Sequence, residues 1–284
     1  LSIIFISHKL GEVLRVSHRV AVLRHGKLVA ESATAGCTQG QLAQWMVGHA
    51  VTLPERRPAQ NVGQSVCSLR HVDSKPPKGK DSRDQLQDIS LELKAGEIVA
   101  IAGVSGNGQV ALADVLCGVR AITGGQLTYL GQPLPPSPIT LVAQGVARIP
   151  EDRHSTGVVG DLPVWENAAA ERLHTRWFSR FGWVRRQAAQ DYAQHVSTTF
   201  DVRGGGLHAP ARSLSGGNMQ KLILGRALLP PTVDGQQADA PRLIVAHQPT
   251  WGLDIGAVHF VQQQLIAARD AGAAVLVISD DLDE

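Results

Sequence analysis

Residues 97–108 read EIVAIAGVSGNG, an apolar run that ends in a cluster of glycines. Glu97–Val104 shows no alternation of polar and apolar residues. It therefore reads as a strand buried on both faces, the kind found in a parallel sheet covered by helices. Val110–Leu116 can then begin a helix. A strand, a glycine loop and a helix in that order form an anion cradle. Glycines let backbone N–H groups approach phosphates, and the helix N-terminus adds partial positive charge. The phosphate-binding template is G-x-x-x-x-G-K-[ST]. Gly103 and Gly108 match it, with Gly106 and Asn107 between them, while Gln109 stands for the lysine and Val110 for the hydroxyl residue. The loop keeps its shape and loses the charge on the β/γ-phosphates and the hydroxyl for Mg²⁺. Hydrogen bonds to charged groups contribute roughly 1.5–3 kcal/mol, so the loss weakens binding about ten- to a hundredfold. Alone, the pattern also serves as a plain tight connection, and both readings stand at this point.

The chain of 284 residues is 43% hydrophobic and 18% charged, enough apolar material for a sizeable core. Its formal net charge of +2 argues neither for nor against a nucleic-acid partner. No run of eighteen apolar residues is present, and the start LSIIFISHKL lacks the charged segment of a secretory signal. Cys37, Cys67 and Cys117 are too few and too scattered for a disulfide framework or a metal set, which suits a reducing, cytoplasmic setting.

The two ends resemble each other. Phe5-Ile6-Ser7-His8-Lys9-Leu10-Gly11-Glu12 and Val277-Ile278-Ser279-Asp280-Asp281-Leu282-Asp283-Glu284 both read as an apolar strand ending in Ile-Ser, then a polar residue, then x-Leu-x-Glu. Such similarity at a distance is the mark of a repeat. Residues 1–50 then finish a first domain. Ser2–Ser7 reads as a buried strand, Leu10–Val16 as a helix, Arg19–Leu23 and Lys27–Glu31 as a hairpin around His25-Gly26, and Gln39–Val47 as a helix. Residues 51–64 have linker composition, and a second domain runs over 65–284.

Further motifs follow in order. Leu214-Ser215-Gly216-Gly217-Asn218-Met219-Gln220-Lys221 opens a helix expected over Lys221–Leu229, where Ser215 and the glycine N–H groups can serve an anion or simply cap the helix. Arg242–Ala246 reads as a strand before His247-Gln248-Pro249-Thr250-Trp251-Gly252-Leu253-Asp254. Glycine loop, LSGG, apolar strand with Pro-Thr-x-Gly-Leu-Asp, and closing strand together resemble the ATP-binding domains of ABC transporters. With Asn107-Gly108-Gln109, Pro150-Glu151-Asp152-Arg153 and LSGGN, the chain resembles the second half of tandem ATPases that drive simple-sugar and nucleoside importers. The resemblance covers essentially the whole chain.

That resemblance implies an α/β P-loop NTPase of ABC type, with an antiparallel β part (Cys67–Lys94) and a helical subdomain (roughly 163–230). It implies ATP and Mg²⁺, bound in a composite site with a P-loop of the first domain, which the chain does not contain. Gly103, Gly106, Asn107, Gly108, Gln109, Val110 and Glu151 would form one nucleotide site. Leu214, Ser215, Gly216, Gly217, Asn218 and Asp254 would act in trans on the other, with His8 as its switch histidine. The second site departs from a working ATPase. His247 stands at the Walker B Asp, Gln248 at the catalytic Glu and Asp280 at the switch His, and no metal-ligand set is assigned within the chain. An amide cannot take a proton from water near neutral pH, so Gln248 is inactive as a base. No aromatic residue lies between Val66 and Gly96, and His71 is the nearest substitute for an adenine platform. The implied function is energising solute import at the cytoplasmic face of the inner membrane. The partners are transmembrane permease subunits, the first ATP-binding domain of the same full-length chain and, indirectly, a periplasmic or lipoprotein solute-binding protein. A catalytically inactive scaffold for a partner ATPase is the alternative, and the chain alone is expected to be inactive. Arg176–Arg186 interleaves basic and aromatic residues. Such interleaving can suit single-stranded nucleic acid or a membrane surface; in a helical subdomain it is read as packing and permease contact, with no nucleic-acid partner.

Overall fold

The computed structural model describes residues 2–7, 9–24, 26–48, 58–59, 61–77 and 83–281. Its backbone contacts divide the chain into two units, Leu1–Arg57 with Gly252–Gln263, and Pro58–Trp251 with Gln264–Glu284.

In the first unit, helix α1 (Leu10–Val16) precedes a hairpin of β1 (Arg19–Arg24) and β2 (Lys27–Ala33), then helix α2 (Gln39–Val47). Local chemistry sets α2: Thr38 and Gln41 form a reciprocal capping box, and Gly48 ends the helix at a positive φ. Leu10 and Val13 of α1 meet Leu42 and Ala43 of α2 in a small core that Trp45, Met46 and Ile255 pack against. The expected strand at Ser2–Ser7 is absent. These residues carry no regular structure, and Ile3, Ile4 and Ile6 are exposed. A strand is held by ladder partners, and among the described residues none pairs with this segment.

The second unit has two sheets. The antiparallel one comprises β3 (Ser65–Ser74), β4 (Leu86–Lys94), β6 (Gly124–Tyr129) and the short β7 (Gln132–Pro133), in the order β4-β3-β6-β7. The parallel one comprises β5 (Ile98–Ala102), β8 (Val146–Ile149), β13 (Leu243–His247) and β14 (Ala274–Ser279), in the order β5-β14-β13-β8. Helices α3 (Gln109–Leu116) and α4 (Pro138–Ala143) accompany these strands. Leu243, Val245, Leu276 and Ile278 of the parallel sheet share one buried core with Val115 and Leu116 of α3 and Leu69 and Leu93 of the antiparallel sheet. Register aligns the ends of the parallel strands, with His247 opposite Ile278 and Ser279 opposite Ala102. Loops that leave these ends therefore leave the sheet on one side, where ligands bind in α/β folds.

Between β8 and β13 lie helices α5 (Val164–Ala169), α6 (Arg186–Thr199) and α7 (Gly216–Leu228), with hairpins β9 (Ser179–Arg180)/β10 (Trp183–Val184) and β11 (Thr232–Val233)/β12 (Gln236–Gln237). Helix α7 begins at Gly216, five residues before the Lys221 start expected from sequence, because Ser215 caps it. Gly225 of α7 lets α6 approach closely: a Cβ there would stand 2.6 Å from Val196 Cγ1. Asn167 of α5 is buried. Its Oδ1 accepts the Val159 N–H at 2.8 Å, and its Nδ2 donates to Val159 and Leu162 carbonyls at 3.1 Å each. Helix α8 (Ile255–Asp270) precedes β14.

Candidate functional site

The glycine loop leaves β5 and enters α3. Gly106 and Gly108 both adopt positive φ, and a Cβ at Gly108 would stand 2.6 Å from the Gln85 carbonyl oxygen. Only glycine suits that position. The loop's interior belongs to Gln109, which is 7% exposed. Its Oε1 accepts the Asn107 N–H at 2.8 Å, and its Nε2 donates to the Val104 carbonyl at 2.8 Å. Asn107 Nδ2 donates to the same carbonyl at 2.7 Å. Where the template puts a cation, this chain puts a neutral amide that uses one of the loop's own N–H donors. The turn fits phosphates, but its charge complement does not.

Divalent metal fits no better. Val110 offers no hydroxyl and His247, at the end of β13, no carboxylate. Instead His247 Nε2 lies 3.7 Å from Glu151 Oε2. Burial holds the His247 imidazolium below its ordinary pKa, against the opposing pull of Glu151 and Asp280. Among the described residues no group of three or more His, Cys, Asp or Glu could hold a metal ion. Gln248 is buried at φ +50°, a strained backbone for a residue with a side chain, and its N–H donates to Ile278 O at 2.8 Å.

The LSGG segment is differently built. Leu214 is buried, while Ser215 is exposed and its Oγ accepts from Asn218 Nδ2 at 2.9 Å and from the Asn218 N–H at 3.4 Å. Asn218 Oδ1 in turn accepts the Arg203 N–H at 2.8 Å. A Cβ at Gly217 would meet nothing within 4 Å, so open space lies before it. First-turn N–H groups have no partner inside a helix, and here they accompany the positive end of a 13-residue helix.

Two residues that sequence reading quoted without a role prove central. Arg153 Nη2 donates to Trp251 O at 2.8 Å and its Nη1 reaches Gly216 O at 3.5 Å. Gln220 Nε2, buried, donates to Pro249 O at 2.7 Å. These pairs are 29 to 98 residues apart, and no spacing rule exposes them. Glu151 meets His247, and Arg153 meets the LSGG helix, but among the described residues no hydrogen bond joins Leu214–Asn218 to Gly103–Val110. Asp254 Oδ1 accepts the Ala257 N–H at 3.0 Å. His8 lies outside the described residues. His71, the expected adenine substitute, is exposed and lies 2.6 Å from Asp88.

Fold and loop together define an α/β cassette of the P-loop NTPase class, with an antiparallel sheet and a helical part. Solved structures of that fold lie close. A nucleotide-free ATP-binding cassette from an ABC transporter superposes with a TM-score of 0.60 at 19% identity, covering 78% of this chain and 83% of that one. A cassette bound to ADP and Pi, in a dimeric post-hydrolysis state, gives 0.60 at 21% identity, covering 76% and 89%. The ABC transporter family model matches residues 86–232. The chain belongs to the ABC transporter family. Among curated relatives, the glucose import ATP-binding protein TsgD13 of Haloferax volcanii is 39% identical over 288 residues, covering 100% of this chain and 50% of its own. The nucleoside import ATP-binding protein NupA of Lactococcus lactis subsp. cremoris is 36% identical, covering 100% and 54%. The guanosine import ATP-binding protein NupO of Bacillus subtilis is 39% identical, covering 95% and 51%. The chain spans about half the length of the curated relatives it matches.

Proposed function

We propose that this chain is part of the nucleotide-binding subunit of an ABC importer, coupling ATP binding and hydrolysis to uptake of a simple sugar or nucleoside. The observation that carries the proposal is an asymmetry. The chain's own loop is filled by Gln109, while open space lies before Gly217 in the first turn of its LSGG helix. The names of the relatives support the solute class. Residues 214–218 and Asp254 then serve a nucleotide held by the first domain's P-loop, with His8 facing its γ-phosphate. When bound there, Mg²⁺ supplies charge neutralisation. This chain's part is to orient and bind: Ser215 and Gly217 present donors, and Arg153 braces the helix that carries them. At the chain's own site the position of the catalytic base is held by Gln248, an amide that cannot take a proton from water. The chain alone is therefore inactive in hydrolysis, and the full protein works peripherally on the cytoplasmic face of the membrane, against permease subunits.

The test is import. In cells that depend on this protein, uptake of labelled ribose, galactose, glucose and nucleosides is measured for Gly217→Asp and Gln248→Ala. Gly217→Asp should abolish uptake of one of these solutes and Gln248→Ala should leave it near wild type. Unchanged uptake in Gly217→Asp would remove the proposal.

A further inference from the structure

The hairpin β9–β10 turns through Phe181-Gly182, at φ +51° and +82°. Both positive values mark a type I′ turn, whose first position favours Asn, Asp or Gly. Two other hairpins of the chain turn the same way, at Asp234-Gly235 and Leu130-Gly131. A phenylalanine in left-handed backbone is a local strain, and here its ring gains no burial. Phe181 is 88% exposed, and Trp183 beside it is 81% exposed. Val184 is exposed too.

The base of the hairpin is fixed. Phe178 is fully buried, with its ring centroid 5.2 Å from that of Tyr192 on α6. Arg185 donates to both carboxylate oxygens of Asp234 at 2.9 and 2.7 Å, tying this hairpin to the neighbouring one. Between the two hairpins lies a cleft of about 300 Å³ lined by Arg176, Ser179, Arg180, Arg185 and Asp234, among others. Arg176 stacks over Trp177 at 4.8 Å and Arg180 over Phe181 at 5.4 Å. No ion pair to a carboxylate holds either guanidinium among the described residues, and residues 176–186 contain no acid.

We infer that this hairpin is a membrane-surface contact: Phe181 and Trp183 enter the headgroup–acyl boundary, and the Arg176/Arg180 cleft takes lipid phosphate. The geometry favours a lipid surface over a protein groove. The exposed apolar residues are few and belong to one short hairpin, at its turn and second strand, and Arg176 and Arg180 line the cleft beside it while stacking on rings of the same stretch. That is the arrangement of interfacial segments, in which aromatic rings and basic side chains share the headgroup layer. The inference rests on the importer reading, which already places the chain beside a membrane.

The experiment is cosedimentation of the chain with vesicles of phosphatidylethanolamine and phosphatidylglycerol, and with phosphatidylcholine alone. Tryptophan emission is followed in parallel with brominated lipids. Binding should need the anionic lipid, weaken with salt, and quench the emission. Phe181→Asn with Trp183→Ser removes the apolar tip, and the Asn-Gly turn it makes favours the hairpin. This variant should lose the quenching and most of the binding. Arg176→Gln with Arg180→Gln should lower binding about thirtyfold, since each basic residue near an anionic surface adds about a factor of five. Equal binding to both vesicle types, no binding at all, or binding that survives both variants would overturn the inference. So would retention of vesicle binding only when permease is present in the bilayer. Sugar or nucleoside uptake, measured separately, tells failure of this contact from failure of the importer reading.

Discussion

Gln109 Oε1 accepts the Asn107 N–H at 2.8 Å, so the glycine loop satisfies one of its own donors with the side chain that replaces its cation. Replacing that side chain should change what the loop can hold. Gln109→Lys returns the charge and releases Asn107. Affinity for a fluorescent ATP analogue should rise about ten- to a hundredfold, the range expected for hydrogen bonds to a charged group. Anisotropy titration measures it. Turnover should stay absent, because Gln248 is unchanged. ATP hydrolysis by Gln109→Lys alone would show that the missing base has been misplaced.

His247 makes stability depend on pH. Burial lowers its folded-state pKa, so the unfolded chain binds a proton more readily than the folded one. Stability from this group is fully present above the unfolded value, about 6.5, and is lost as pH falls toward the lower folded value. His247→Leu should flatten that acid limb while leaving the region above pH ~7 comparatively level. Urea unfolding at a series of pH values checks it. An unaltered slope in the variant would mean that other groups set the acid limb.

Asn167 holds the segment Val159–Pro163 from inside the helical part, through one acceptor and three donor contacts. Asn167→Leu keeps the volume and leaves the Val159 N–H and several carbonyls without this partner. The expected loss is about 1–3 kcal/mol or more, read as a lower urea midpoint. A midpoint within error of wild type would show that water replaces the side chain at no net cost.

Cys67 and Cys117 are buried, and burial pushes both thiols up to about 12. The thiolate is the reactive form. Ellman's reagent should therefore modify Cys37, which is half-buried, well before the other two, and reach all three after denaturation. Rapid reaction of more than one thiol in the native chain would contradict the packing around α3.

Much of this fold is legible in the sequence because its signals are local. The glycines of the loop act within a few residues, and the apolar run before them does form β5; but β5 is an edge strand with no fully buried residue, not the strand buried on both faces that its composition suggests. Helix α1 and helix α2 fall where their periodicity puts them. Ser2–Ser7 was not legible in this way. Its apolar content resembles that of β14, but a strand exists only where a ladder receives it, and that depends on neighbours elsewhere in the chain. The hairpin at 179–184 is hidden for the opposite reason, since strands of two residues leave no alternation to detect. In the candidate site, sequence identifies each missing group, lysine, hydroxyl and carboxylate, but not what fills the space. That Gln109 turns inward and His247 meets Glu151 follows from side-chain geometry.

The 2.7 Å bond from Gln220 to the Pro249 carbonyl has a mechanical consequence. It fastens the second turn of α7 to the residue that follows Gln248, and Arg153 adds a second fastening from Gly216 to Trp251. The LSGG end of α7 is thus tied to the loop that leaves β13, an interior strand of the parallel sheet. Any displacement of the LSGG helix must therefore stretch these two bonds or carry the loop after Gln248 along with it.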